Sequence, residues 1–279
     1  MTDTNKIFNQ QSIRFIDHTY KQNKPWESFA IDDALAEEIR SNQQATIRIW
    51  SHEKTVVLGI ADTRLPYLEE GLNLIKDAQY ISVVRNSGGL AVVNDAGVLN
   101  ISILLPDEKD LTIDQGYEQM VQLIKDVFKP WTNEIEAYEV VGSYCPGDYD
   151  LSIHGKKFAG ISQRRVKGGI AVQIYLSIEG DQMTRSDLVK RFYQTALKNE
   201  QTRFTYPTIQ PETMASLDTL LNTSLTVKEV IDRLKELLQS ESDVNEDETL
   251  TENERVIYQK RREQMIKRNE KALGQFFES

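Results

Sequence analysis

Cys145 is the only cysteine among 279 residues, so its thiol has no internal disulfide partner. Two fates are open to it: an inert buried side chain, as free cysteines often are, or a reactive nucleophile. The segment Gly142-Ser143-Tyr144-Cys145-Pro146-Gly147-Asp148-Tyr149-Asp150 is rich in turn formers and reads as a tight loop rather than a core helix. Just downstream, Lys156-Lys157-Phe158-Ala159-Gly160-Ile161-Ser162-Gln163-Arg164-Arg165 carries four bases and no acid. Cations beside a thiol lower its pKa and enrich the thiolate, the form that attacks carbon. No Gly-x-Ser-x-Gly elbow competes for the role. The histidines His18, His52 and His154 are scattered and none stands out as a base, so lysine is the expected activator.

Lys157 is the candidate. On an alternating strand, Lys157, Ala159, Ile161, Gln163 and Arg165 share one face, and Lys156, Phe158, Gly160, Ser162 and Arg164 the other. An inward Lys157 is desolvated, and desolvation depresses a lysine pKa, which suits proton transfer from a thiol. The opposite orientation, with Lys157 exposed and Phe158 in the core, fits the alternation as well. The second candidate site is Arg85-Asn86-Ser87-Gly88-Gly89-Leu90-Ala91-Val92-Val93-Asn94-Asp95, where two glycines after a strand let backbone approach a ligand closely. It lacks the Gly-Lys-Ser/Thr ending of a phosphate-binding loop, and no Cys/His cluster has metal-ligand spacing.

The elements that position these residues follow from periodicity and turn chemistry. Ser28 is placed to cap a helix through Ile39. Strands are expected at Thr46–Trp50, Thr55–Ile60, Tyr80–Arg85, Ala91–Val93, Val98–Leu105 and Glu134–Val141, and helices from Pro66 to about Ala78 and over Ile113–Phe128. Tyr149–Ile153, Lys156–Arg165 and Ile170–Ile178, joined by turns at His154-Gly155 and Lys167-Gly168-Gly169, read as an antiparallel set. Helices follow near Arg185–Leu197 and Pro211–Leu221, and Thr226-Val227-Lys228-Glu229 opens another by a capping box. The result is an α/β (α+β) class: a mixed, largely antiparallel sheet with packed helices. The expected division is a catalytic domain over residues 1–240, then an acidic linker and charged C-terminal helix over 241–279.

The net charge of −10 argues against broad nucleic-acid binding, because phosphate needs a cationic surface. No run of 18 apolar residues spans a membrane, and the polar Met1–Lys6 has no signal-peptide stretch. One cysteine speaks against a secreted disulfide scaffold, so the expected compartment is the reducing cytoplasm. Charge is uneven: residues 241–254 hold seven acids and no base, while 255–273 hold seven bases against two acids.

Taken together, Phe29–Leu35, the Arg85–Asn100 block, and Asp150-Leu151-Ser152-Ile153 with Gly155-Lys156-Lys157-Phe158-Ala159-Gly160 resemble the lipoate–protein ligase and octanoyltransferase superfamily, which includes biotin protein ligases. The likeness covers roughly residues 28–240. Asp62-Thr63-Arg64-Leu65-Pro66, Arg85–Val93, and Gly142–Gly147 leading into Gly160–Arg165 are most similar to the amidotransferase type of Gram-positive bacteria. The resemblance implies the biotinyl/lipoyl ligase type of catalytic fold, and octanoyl transfer from the glycine-cleavage H protein to lipoyl domains of 2-oxoacid dehydrogenases. It implies a thioester on Cys145, with Lys157 lowering the thiol pKa, and Arg85, Ser87, Gly88, Gly89 and Gly160 at the substrate. It implies no cofactor: Leu90 stands where ATP-dependent ligases carry a third glycine, and Asn94 where they carry histidine, which argues against acyl-adenylate chemistry. Leu90, Val92, Ile161 and Ile170 are candidate walls of an acyl tunnel, and Lys156, Arg164, Arg165 and Lys167 a docking patch for acidic lipoyl-type domains. Two related activities share Cys145 and Lys157 or the fold: octanoyl transfer from acyl carrier protein, and ATP-dependent lipoate ligation. A non-enzymatic lipoyl-domain binder with an inert Cys145 is the remaining alternative.

Overall fold

The computed structural model describes residues 12–21, 24–107 and 111–278, so the Met1–Lys6 segment lies outside the described residues. In chain order the elements are β1 (Ser12–His18), α1 (Glu27–Asn42), β2 (Thr46–Trp50), β3 (Thr55–Leu58), α2 (Leu68–Asp77), β4 (Ile81–Val84), β5 (Val92–Asn94), β6 (Val98–Pro106) and α3 (Ile113–Phe128). Then come β7 (Glu136–Ala137), β8 (Leu151–Ile153), β9 (Lys156–Val166), β10 (Gly169–Ser177), α4 (Gln182–Leu197), α5 (Leu217–Leu220), α6 (Val227–Glu241), β11 (Asp243–Glu246) and α7 (Glu252–Leu273). Among the described residues these strands form an eight-stranded sheet, ordered β11-β1-β2-β6-β10-β9-β8-β7, and a small sheet, β4-β3-β5. From β2 to β7 every pairing in the large sheet is antiparallel, while β1 runs parallel to β2 and β11.

The long β10 shows why the sheet is sandwiched. Ile170, Val172, Ile174 and Leu176 alternate onto the face covered by Met120, Leu123, Ile124 and Val127 of α3 and by Val230, Ile231 and Leu234 of α6. Each such fully buried aliphatic contributes about 1.5–3 kcal/mol of transfer free energy. The other face is covered by α1: Leu35, Ala36 and Ile39 pack on Leu104 and Ala171, and Gln173 donates to Asp32 at 2.6 Å. The small sheet packs with α2 and α4 through Val57, Val83, Leu72, Ile75, Val189 and Phe192.

The α+β class is as expected, and several elements differ from expectation in instructive ways. Trp26, not Ser28, is the N-cap of α1; Ser28 is buried inside the helix, where its hydroxyl accepts from Arg48 at 3.2 Å. Glu134–Val141 shrinks to the two-residue β7, and 211–221 divides into a 3₁₀ turn (Pro211–Thr213) and α5. The expected acidic linker is partly a strand: β11 pairs with β1, itself unforeseen, in the register Ser12↔Asp243 to Phe15↔Glu246. Helix α7 then packs along α1, with Arg261 donating to Glu37 at 2.6 Å. No helix among the described residues is long and apolar enough to cross a membrane.

Candidate active site

Cys145 sits in the loop between β7 and β8 with φ of +45°, a left-handed conformation uncommon for a residue with a Cβ. Two buried side chains hold that backbone. Lys157 Nζ donates to the carbonyls of Tyr144 (2.9 Å) and Cys145 (2.8 Å) and to Ser143 Oγ (3.3 Å). It also pairs with Asp150 Oδ1 at 2.9 Å. The other Asp150 oxygen accepts from the N–H groups of Val140 (3.3 Å) and Gly147 (3.2 Å), closing the loop on itself. Burial pushes the Asp150 carboxyl up, opposed by the charge and hydrogen bond of Lys157.

Lys157 reaches this position through an irregularity that strict alternation missed. Ser152 lies opposite Lys157, and Leu151 opposite Ala159, so one extra residue is inserted in β9. Phe158 and Ala159 both enter the α3-side core, and Lys157 falls on the same side as Gly160: a Cβ built on Gly160 meets Lys157 Cε at 3.5 Å. The expected grouping of Lys157 with Ala159 and Ile161 is therefore corrected. Lys157 is inward and fully buried, as one of the two orientations required.

The thiol itself faces the Arg85–Ala91 segment after β4. The Leu90 N–H donates to Cys145 Sγ at 3.1 Å and Arg85 Nη2 at 3.4 Å. The same Nη2 donates to the Leu90 carbonyl at 2.7 Å. Lys157 therefore contacts the cysteine backbone, and Arg85 contacts its sulfur. Cys145, Arg85, Ser87, Gly88, Gly89 and Gly160 all line one cavity of about 190 Å³, walled further by Phe29, Trp50, Val57 and Tyr175. Of the tunnel candidates, Val92 and Ile161 line it; Leu90 does not, and Ile170 is buried in the core against α3.

The segment that carries Leu90 is fixed from behind by residues the sequence reading gave no role. Tyr193 of α4 accepts from the Ala91 N–H at 3.2 Å and donates to Asp62 Oδ1 at 2.8 Å. Asp62 Oδ2 accepts from the Gly59 N–H at 2.7 Å. Burial pushes the Asp62 carboxyl up to about 6, with the bonds from Gly59 and Tyr193 and the charge of Arg85 opposing. The only sign of this network in the sequence is Asp62 in the quoted Asp62–Pro66 motif.

Histidine takes no part. His18 and His52 are buried and lowered to about 4 and about 3, chiefly by that burial, and His154 is exposed beside Glu134. The expected docking patch is largely spent on internal pairs. Arg164 binds Asp33 through two nitrogens (2.5 and 3.0 Å), Arg165 binds Asp107 at 2.6 Å and Lys167 binds Glu37 at 2.7 Å. No group of three or more potential metal-ligating side chains occurs among the described residues.

A half-buried thiol in a strained loop, hydrogen-bonded by a backbone N–H and a guanidinium at the mouth of an apolar cavity, is suited to covalent acyl transfer. The chain is 49% identical over 277 residues to octanoyl-[GcvH]:protein N-octanoyltransferase of Oceanobacillus iheyensis, covering 97% of this chain and 99% of that one. It is 51% identical over 252 residues to the protein of the same name in Bacillus velezensis, covering 89% and 88%. Among solved structures, a putative lipoate protein ligase from T. acidophilum with bound lipoic acid superposes with a TM-score of 0.68 at 18% identity, over 91% of this chain and 95% of that one. Lipoate-protein ligase A bound with ATP gives 0.67 at 19%, over 90% and 93%; likeness at this identity establishes the shared fold. Residues 24–239 match the family described as the lipoyl protein ligase A/B catalytic domain, and the chain belongs to that family.

Proposed function

We propose that this protein is an octanoyl amidotransferase of protein lipoylation. Its donor is the octanoylated lysine of the glycine-cleavage H protein, and its acceptors are lysines on lipoyl domains of 2-oxoacid dehydrogenase complexes. The observation that carries the reading is the Cys145 thiol at the apolar cavity, in a chain about half identical to relatives bearing the octanoyl-[GcvH] name. The Cys145 thiol gives up its proton and the thiolate attacks the amide carbonyl; the sulfur–carbon bond forms, the carbon–nitrogen bond breaks, and the lysine amine leaves with one proton taken up from solvent, equal to the one the thiol lost. The acceptor amine then attacks the thioester, the carbon–sulfur bond breaks, and the proton lost by the amine returns the thiolate to the thiol as the new amide forms. Because an amide is exchanged for an amide, the net reaction needs no ATP. The thioester stands above both in free energy, so it accumulates only when the donor is in excess, and water must be kept from it.

The eight-carbon chain is held by apolar burial at about 0.8 kcal/mol per CH₂, with Val92 and Ile161 among the walls. Lys157 belongs to the same machinery through its bond to the Cys145 carbonyl. A lone thiol on this duty works in a reducing compartment, in keeping with a cytoplasmic site.

Intact-protein mass spectrometry with excess octanoylated H protein and no ATP tests the reading. One octanoyl adduct is expected on Cys145, absent from Cys145→Ser and chased onto an added lipoyl domain. An adduct formed only from octanoyl-acyl carrier protein would reassign the donor. No adduct from either donor would remove the transferase reading altogether.

A further inference from the structure

We infer that Tyr193, oriented by Asp62, is a positioning residue for the reaction: it holds the Leu90 peptide so that the Leu90 N–H meets the reacting sulfur of Cys145. This rests on the reading that Cys145 is the nucleophile. Neither Tyr193 nor Asp62 lines the cavity, so both act through the backbone that lies between them and the cysteine.

Leu90 is clamped on both flanks. On one side, Ala91 gives its buried N–H to Tyr193 Oη at 3.2 Å. On the other, Gly89 lies against Gly59 so closely that a Cβ built on Gly59 would stand 1.9 Å from the Gly89 carbonyl oxygen. One carboxyl controls both contacts. Asp62 Oδ2 accepts from the Gly59 N–H at 2.7 Å, and Oδ1 accepts from the Tyr193 hydroxyl at 2.8 Å. A phenol has a single proton, and giving it to Asp62 turns a lone pair toward the Ala91 N–H. Burial, followed by the Asp62 charge, pushes the Tyr193 hydroxyl up, so it stays a neutral donor. The Leu90 carbonyl is held in turn by Arg85 Nη2 at 2.7 Å. The peptide so constrained places its N–H 3.1 Å from Sγ. A carboxyl and a phenol this deeply buried carry a desolvation cost that an apolar pair would avoid, and their side-chain bonds lead to the two segments that flank Leu90. A donor held on the nucleophilic sulfur stands beside the carbon that sulfur attacks, where charge develops in the transition state. Losing the clamp should therefore show in kcat rather than in KM.

Tyr193→Phe removes one oxygen and keeps the ring. Its kcat for octanoyl transfer is expected to fall about 10- to 100-fold, the cost of misplacing a reacting group by up to about 1 Å, with KM within about threefold of the parent. Hydrogen exchange at the Ala91 amide is expected to speed up by at least about tenfold. Tyr206→Phe is the matched control. Its ring packs on Tyr193 with centroids 5.5 Å apart, but its hydroxyl goes to the Ala61 carbonyl, so kcat should stay within about threefold of the parent. If thermal melts show Tyr193→Phe unfolded, Asp62→Asn takes its place: equal in size, it keeps an acceptor for Gly59 only by turning its nitrogen to Tyr193, and the same fall in kcat with faster Ala91 exchange is expected. An unchanged kcat in the folded variant, an equal fall in Tyr206→Phe, or unaltered Ala91 exchange would overturn the assignment. Absence of transfer by the parent would sink the proposed function instead, and the exchange measurement, which needs no substrate, then decides this assignment alone.

Discussion

Gly88 and Gly89 are adjacent and chemically identical, yet the structure makes opposite demands on them. A Cβ on Gly88 has nothing within 4 Å, whereas Gly89 has φ of +99° and its Cβ would stand 2.2 Å from Arg85 Nη2 and 3.0 Å from Cys145 Sγ. Gly89→Ala therefore strains the backbone and drives the guanidinium off the sulfur. Displacement of a reacting group by about 1 Å costs on the order of 100-fold in rate. We expect that loss in octanoyl transfer for Gly89→Ala, together with about 1–3 kcal/mol of stability, and a smaller loss of transfer with stability unchanged for Gly88→Ala, whose methyl group meets no protein atom. Steady-state transfer assays on both variants check this, and equal losses in the two would contradict the geometry. Sequence could mark the pair as a place of close approach, but which glycine is indispensable depends on the Arg85 and Cys145 side chains, 60 residues apart in the chain.

At the scale of elements, what was legible was what is local. Helix α3, strands β2 and β6, the capping box at Thr226 and the β8–β9–β10 meander follow from periodicity and turn residues and stand close to where these placed them. What was not legible depends on pairing across the chain. β11 is a short strand because β1 lies beside it, and β1 is one because β2 and β11 flank it; the bulge in β9 is set by where β8 pairs, and it decides which way Lys157 points. The Asp62–Tyr193 tie is of the same kind, joining the turn after β3 to α4 across 131 residues. It carries a pH signature. With a carboxyl at about 6 in the fold against an ordinary 3.8, the folded chain binds the proton more tightly than the unfolded one. The contribution of this group to stability is thus greatest below about pH 4 and declines as pH rises to about 6. At 1.36 kcal/mol per unit, the difference amounts to about 2–3 kcal/mol. Urea unfolding of the parent and Asp62→Asn between pH 4 and 6.5 should show the parent losing that much relative to the variant. His18 and His52 act in the opposite sense, being lowered by burial, but they are common to both proteins and cancel. A pH-independent difference would mean that the fold leaves the Asp62 carboxyl at its ordinary value.

For the whole molecule, the charged C-terminal segment is the part whose composition misleads most. Helix α7 carries exposed charge along most of its length, yet Met265, Asn269 and Leu273 are buried on its inner side. Asn269 does there what a neighbouring strand would do. Its Oδ1 accepts from the Val84 N–H at 2.6 Å and its Nδ2 donates to the Val84 carbonyl at 3.2 Å, capping the free edge of β4. The next residue is Arg85, whose guanidinium meets the Cys145 thiol. A helix ending 34 residues beyond the family's matched region thus braces the strand that leads into Arg85. Asn269→Leu is close in size but leaves both Val84 groups buried and unpaired, at about 1–3 kcal/mol each. We expect this variant to lose about 2–5 kcal/mol in chemical unfolding. We also expect kcat for octanoyl transfer to fall further than KM rises, because the substrate cavity is intact while the cation behind the thiol loses its seat. Asn269→Gln, which keeps both the donor and the acceptor, should recover part of the rate but not the full stability, since its extra methylene must be fitted into a packed site. If Asn269→Leu loses stability with kcat unchanged at a temperature where it is folded, α7 is a structural brace without influence on the chemistry.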